Sequence, residues 1–242
     1  MDLLVEEMDA ADVKMGLIVG RETAVYGSVD NADLKAIVDA HPDRFVAAAS
    51  FNPIGITSID SVDRKAIIEN IRQAMAMGFK AVAIEPGLCD VPMYIDDRRL
   101  YPIYAYCEDE RIPIVLMSGG LAGPDVDYTA PKAIDRVCRD FPTMKVAAAH
   151  AGWPWVREIL HVALRRPNLY LSPDCYLFNF PGMSEYVEAA DSYLADRMLY
   201  GSAYPVIPVK EYAEWFRTLP IRPENMERMM YTNAVEFLGL EG

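Results

Sequence analysis

Lys145-Val146-Ala147-Ala148-Ala149-His150-Ala151-Gly152-Trp153-Pro154-Trp155 is the stretch that decides how the chain is read. Its run of small apolar residues, between Pro142 and Gly152, is too short for a globular helix. It reads as a strand buried on both faces. The run ends in His150, a Gly-Trp-Pro turn follows, and a helix opens near Trp155. A parallel strand that delivers a histidine at its carboxyl end is where α/β proteins place their chemistry. The plainer reading is a core histidine bonded to backbone.

Outward from this stretch the same alternation recurs. Lys14–Val19, Phe45–Phe51, Lys80–Glu85, Ile112–Met117, Leu169–Ser172 and Met198–Gly201 are further apolar runs of strand length. Helical patterns lie between them. Asn31 is placed to cap a helix that Pro42 stops, Gly78 closes another over Asp63–Met77, and others cover Leu100–Glu110, Pro131–Asp140, Trp155–Arg165 and Gly182–Ser192. An amphipathic helix over 3–13 precedes the first strand, and two helices, near Val209–Thr218 and Pro223–Leu238, end the chain.

Seven strand-helix units with short connections specify a parallel sheet wrapped by helices. Seven is one short of a closed barrel, and only a helix precedes Lys14. The expectation is therefore one α/β domain over residues 1–242, a (β/α)8 TIM-barrel-like fold that is amino-terminally incomplete and lacks its first strand. The open edge this leaves would be covered by the amino-terminal helix or by a second chain. A doubly wound sheet is the alternative. It predicts a glycine-rich phosphate turn, and Gly20-Arg21-Glu22-Thr23 supplies no G-x-G-x-x-G.

With 242 residues and 52% hydrophobic content, the chain can bury a large core. A net charge of -13 argues against nucleic acid or an anionic membrane as partner. Cys89, Cys107, Cys138 and Cys175 are far apart and form no CxxC pair, which fits free thiols in a reducing cytoplasm. No signal-peptide pattern and no membrane-length apolar run is visible.

In a barrel the site is built at the carboxyl ends of the strands. Those ends offer Arg21, Asn52, Glu85, Met117, His150, Asp174 and Tyr204. Each has a structural reading as well. Arg21 can pair with a surface carboxylate, Asn52 before Pro53 suits a turn, and Asp174 in Ser172-Pro173-Asp174-Cys175 can cap one. His161 within a helix and His41 at a helix end read as structural. Together the set suits proton transfer on a carboxylate-bearing substrate. His150 would be acid or base, Glu85 or Asp174 its partner, and Arg21 the anion clamp. Asn52, Met117, Trp153 and Tyr204 would line the substrate's side of the mouth. A divalent ion is the competing use, but no second histidine stands at the rim.

The chain resembles the amidohydrolase superfamily, in particular the amidohydrolase-2 branch of metal-dependent (β/α)8 hydrolases and decarboxylases. The segments that carry the resemblance are Pro113–Gly119, Asp140–Gly152, Arg166–Ser172, Arg197–Pro205 and Asn233–Leu238, in that order. It implies the barrel that strand counting gives independently.

The departures bear on function. The resemblance implies a His-x-His metal pair on a first strand, and this sequence starts after that point. It implies a histidine ligand where Met117 stands and an aspartate ligand where Ala203 stands. Only His150 matches, and a thioether is a poor ligand for hard or borderline ions. No cofactor is expected on this reading, with zinc or manganese as the alternative. The expected function is a hydrolase or decarboxylase-like lyase step through His150, on a small carboxylated and possibly aromatic acid. A catalytically inactive barrel serving as a structural or regulatory subunit is the alternative, and a conventional metal hydrolase is the third. A homo-oligomer, or a paralogous barrel subunit, is the expected assembly.

Overall fold

A computed structural model describes residues 1–53 and 63–240. Its centre is a six-stranded sheet of order β1-β4-β5-β6-β7-β8, with every neighbouring pair parallel. The strands are β1 (Gly16–Val19), β4 (Phe45–Ser50), β5 (Ala81–Ile84), β6 (Ile114–Met117), β7 (Val146–Ala149) and β8 (Leu169–Ser172). Between β1 and β4 a short antiparallel hairpin, β2 (Glu22–Thr23) with β3 (Gly27–Ser28), rises from the rim. No apolar periodicity announces a two-residue pair, and it was not expected.

Spatial order follows chain order because each strand is joined to the next by a helical layer. The helices are α1 (Asp2–Ala10), α2 (Asn31–Ala40), α3 (Arg64–Ala76), α4 (Tyr101–Asp109), α5 (Pro131–Asp140), α6 (Val156–Arg165), α7 (Met183–Ala190), α8 (Val209–Phe216), α9 (Pro223–Glu227) and α10 (Asn233–Leu238). The terminal helix expected over Pro223–Leu238 is divided by a π-helical turn at Arg228–Thr232. Asp30, rather than Asn31, caps α2 by accepting the Ala32 N–H at 2.8 Å. Asn31 instead ties the helix to β4, exchanging two 3.1 Å hydrogen bonds with the Ser50 backbone.

Side chains alternate along each strand, so the sheet has two apolar faces. Val82, Ile84, Ile114, Leu116, Val146, Ala148 and Leu171 pack outward on the helices. Ala48, Ala81, Ala83, Val115, Ala147, Tyr170 and Leu199 turn inward, where Phe237 and Leu238 of α10 join them. The same period carries inward-facing positions up to Glu85, Met117 and Ser172 at the carboxyl rim.

The seventh expected strand, Met198–Gly201, does not form. It contributes one parallel bridge, Leu171 with Met198, held by Leu171 N–H to Arg197 O and Leu199 N–H to Leu171 O. Tyr200 N–H, which points away from β8, donates to Met229 O at 3.0 Å. The next bond of the ladder would be donated to Leu199 O from position 173, and Pro173 has no N–H to give.

α1 spans this seam in the helical layer. Met8 and Ala11 bury against Phe45, Val209 and Ala213, Glu7 accepts the Val209 N–H at 2.6 Å, and Arg217 donates to Ala11 O. The second edge of β1 pairs with no strand among the described residues, and Val19 remains 46% exposed. No described helix is long and apolar enough to cross a membrane.

Candidate functional site

At the top of β7 the chain passes through three consecutive left-handed residues, His150 (φ 62°), Ala151 (φ 40°) and Gly152 (φ 70°). Asp174 (φ 43°), beyond β8, and Ala203 (φ 53°), beyond the Met198 bridge, are left-handed as well. A non-glycine residue held there costs about 1 kcal/mol or more, and such strain gathers at functional sites.

Here it brings a histidine and an aspartate together. Asp174, only 6% exposed, receives the His150 Nδ1–H at 2.8 Å and the His150 backbone N–H at 3.0 Å. Two bonds to one carboxylate fix both the ring and the main chain that carries it. Cys175 Sγ–H donates to the same carboxylate, and burial with the Asp174 charge pushes its thiol up to about 12. The backbone carbonyl of Asp174 accepts from the buried Tyr212 hydroxyl at 2.8 Å. With Nδ1 committed, Nε2 is the His150 nitrogen left to act.

Glycines after β6 let this pair sit close to its neighbours. A Cβ at Gly119 would fall 2.6 Å from His150 O, and one at Gly120 would fall 2.1 Å from the Tyr176 hydroxyl. Tyr176 stacks on Trp153 (centroids 4.8 Å, 18°) and meets His150 edge-on at 5.1 Å. Phe180 closes against both aromatic rings, and Trp153 Nε1–H donates to Pro181 O. Trp153 was expected at the mouth and is found beside His150. Tyr176 and Phe180 were not anticipated, and the aromatic spacing of Cys175-Tyr176-Leu177-Phe178-Asn179-Phe180 was the one available signal.

The other expected residues form a second group. Arg21 Nε–H donates to Glu85 Oε1 at 2.9 Å and Nη2–H to Oε2 at 3.4 Å, with Glu85 only 6% exposed. Of the two carboxylates offered as partner to His150, Asp174 takes that place and Glu85 takes Arg21. Arg21 also lies over the ring of Tyr26, on the hairpin, at 5.3 Å. Asn52 donates to Asp90 at 2.8 Å. Burial first, then the Asp30 and Asp90 charges, raise the Glu22 carboxyl above its ordinary range, against a hydrogen bond from the Asn52 backbone. Burial, followed by Cys175, Asp174 and Tyr26, raises the Tyr176 phenol above its ordinary range. Met117 is half-buried at the top of β6. Tyr204 packs its ring with the Met8–Val209 cluster of the helical layer.

The donor chemistry can be tested against a divalent ion. One ligand atom each of His150, Asp174 and Cys175 lie within 4.8 Å of one another. These groups already satisfy one another, however, through a neutral thiol and a committed Nδ1. A thiol held up to about 12 is a poor source of thiolate, and Met117 and Ala203 add no hard donor. The set does not fit the ion that the sequence resemblance implies. A cleft of about 310 Å³ lies elsewhere, between α6 and α7, and its lining of Arg157, Glu185, Ser192 and others contains no histidine.

The amidohydrolase-2 family model matches residues 4–240. An uncharacterised TIM-barrel protein from Bordetella bronchiseptica is 50% identical, with TM-score 0.93 over 99% of this chain and 82% of that one. The 2,6-dihydroxybenzoate decarboxylase from Rhizobium is 17% identical, with TM-score 0.79 over 100% and 89% of the two chains. A dihydroxybenzoic acid decarboxylase from Polaromonas, solved with bound manganese and the inhibitor 2-nitroresorcinol, is 16% identical, with TM-score 0.68 over 86% and 73%. No curated protein matches.

Proposed function

The chain belongs to the amidohydrolase-2 family, and from that premise we propose that it is an enzyme acting on a small carboxylated, aromatic acid without a resident metal ion. The step favoured is a decarboxylase-like lyase reaction, with hydrolysis as the other form. One observation carries this reading: Asp174 grips His150 through both Nδ1 and the backbone amide, leaving Nε2 as the working nitrogen. A carboxylate behind a histidine sets its tautomer and stabilises the imidazolium. Structurally similar decarboxylases act on aromatic acids, which supports the substrate class.

In the proposed step, protonated His150 delivers its Nε2 proton to the carbon that bears the substrate carboxylate. The bond to the carboxyl carbon breaks, its electron pair becomes the new C–H bond, and carbon dioxide leaves. Neutral imidazole then regains a proton from water at the rim. Arg21 would hold a substrate anion through Nη1, which makes no hydrogen bond among the described residues. Decarboxylation needs an anion clamp and a proton donor, whereas amide hydrolysis leans more on electrophilic stabilisation by an ion. Purified protein should therefore turn over members of a panel of hydroxylated benzoic acids in the presence of chelator. Stoichiometric zinc or manganese by elemental analysis, with activity lost to chelator, would overturn the metal-free part.

A second reading has its own support. Arg21 and Glu85 neutralise each other, and Trp153, Tyr176 and Phe180 crowd the His150 side of the rim. Both suit an inactive barrel that serves as a subunit. No turnover and no binding across the acid panel would favour it.

A further inference from the structure

Tyr176 has a hydroxyl that the fold makes room for and does not use. Its ring is fixed by three aromatic neighbours, stacked on Trp153 and edge-on to His150 and Phe180. The hydroxyl lies over Gly120, where a Cβ would come within 2.1 Å, and Gly120 itself is left-handed at φ 65°. The Gly120 N–H is tied to Trp153 O at 2.8 Å, so the turn cannot easily swing away. Among the described residues nothing hydrogen-bonds that hydroxyl, whereas those of Tyr104, Tyr186 and Tyr212 each donate to a backbone carbonyl; the Tyr200 hydroxyl is also unpartnered, but it is buried away from the rim beside Tyr212 and Phe216.

We propose that Tyr176 is a substrate-binding residue whose O–H donates to an anionic oxygen of the acid held beside His150. This rests on the reading of the rim as an acid pocket. Two observations, and the chemistry of the proposed contact, favour a donor over a bystander. The ring's position is set by stacking, so little rotamer freedom is lost on binding. Burial and the Asp174 and Cys175 groups raise the phenol's pKa, so it stays protonated and donates at neutral pH. The contact joins an anion to a neutral donor in a partly desolvated wall, the setting in which one hydrogen bond discriminates most. Tyr176 and Arg21 Nη1 would then hold the substrate's anionic groups from two sides.

The test is equilibrium binding, which needs no turnover. Benzoate and 2,6-dihydroxybenzoate are titrated calorimetrically into wild-type protein and into Tyr176→Phe, which keeps the ring and its stacking. The expected result is roughly tenfold or greater weakening in Y176F for both acids, the loss of one charge-assisted bond. The melting temperature without ligand should be unchanged, because the hydroxyl has no partner in the fold, and the ligand-induced rise should shrink. Equal affinities in the two proteins would overturn the role of Tyr176 and leave the acid pocket standing. Failure of the wild type to bind either acid would overturn both.

Discussion

The two flanks of this barrel are built from similar sequence and end up in different states. On one flank β5, β6 and β7 have a neighbour on each side, and ten of their twelve residues are buried. On the other, β1 is paired only to β4; Gly16, Leu17 and Ile18 are half-buried and Val19 is exposed. The rim follows this division in part. Above the closed flank, His150 and Asp174 are locked together by strained backbone with Nε2 spare. Arg21, beyond β1, reaches across to Glu85 at the end of β5, and the two largely offset each other's charge. β7, with a ladder on each side, can hold a costly turn conformation at its end, because both ladders over-determine it. β1, with one neighbour, ends in Gly20 and Arg21 and sends its guanidinium across to a carboxylate on a strand that has two.

The sharpest way to break this comparison is catalytic. His150→Ala should reduce turnover of an accepted acid by about 10²- to 10⁴-fold, the ordinary range for a positioned proton donor. Asp174→Asn keeps the shape but replaces the carboxylate that orients Nδ1, so a smaller loss is expected, with Tm followed as a control for folding. Arg21→Ala should act mainly on KM. If kcat instead collapsed with Arg21→Ala and survived His150→Ala, the working half of the rim would be the open flank.

Packing supplies the next largest contrast. Ile114→Ala, at a site with 0% exposure in β6, should cost about 2–5 kcal/mol by urea unfolding. Val19→Ala at the tip of β1 should cost under about 1 kcal/mol, since its side chain is nearly half in water. Equal costs would mean that the β1 edge is covered in solution by something that the chain's own described residues do not supply.

The closed flank was legible because parallel strands buried on both faces appear as unbroken apolar runs, as in Ala81–Ile84 and Val146–Ala149. Met198–Gly201 reads the same way and still forms only a bridge, because Pro173 on the facing strand has no N–H to extend the ladder. At the site, Asp174 and His150 could both be placed at strand ends. Their union could not be seen, since it needs left-handed φ at residues whose side chains give no sign of it. Glu85 was as good a partner for His150 on paper, until the hairpin after β1 fixed Arg21 over it. Tyr176 was hidden by ordinary composition; only Gly119 and Gly120, required by close approach, mark where it would land.

A double-mutant cycle on Arg21 and Glu85 probes, at smaller scale, the link between the two flanks. Arg21→Ala leaves a buried carboxylate without its cation, and after allowing for the guanidinium's 40% exposure a loss of about 1–3 kcal/mol is expected. Adding Glu85→Gln should return much of it, because the amide needs no counter-charge. Strictly additive losses would show that the pair contributes little and that Arg21 is positioned for something else.

Glu22 gives the smallest and most diagnostic effect. Burial raises its carboxyl above the ordinary glutamate range, so the folded protein holds the proton more tightly than the unfolded chain does. The stabilising contribution of the protonated form is therefore complete at pH below the ordinary glutamate value and is lost as pH rises through the raised folded value. Glu22→Gln removes that dependence. At pH 7 the variant should melt slightly higher, by less than about 1 kcal/mol because the group is partly solvated, and near pH 4 the difference from wild type should vanish. A variant that melts lower at pH 7 would show that the bond from the Asn52 backbone to Glu22 outweighs burial, and that Glu22, like Glu85, is there to hold the rim together.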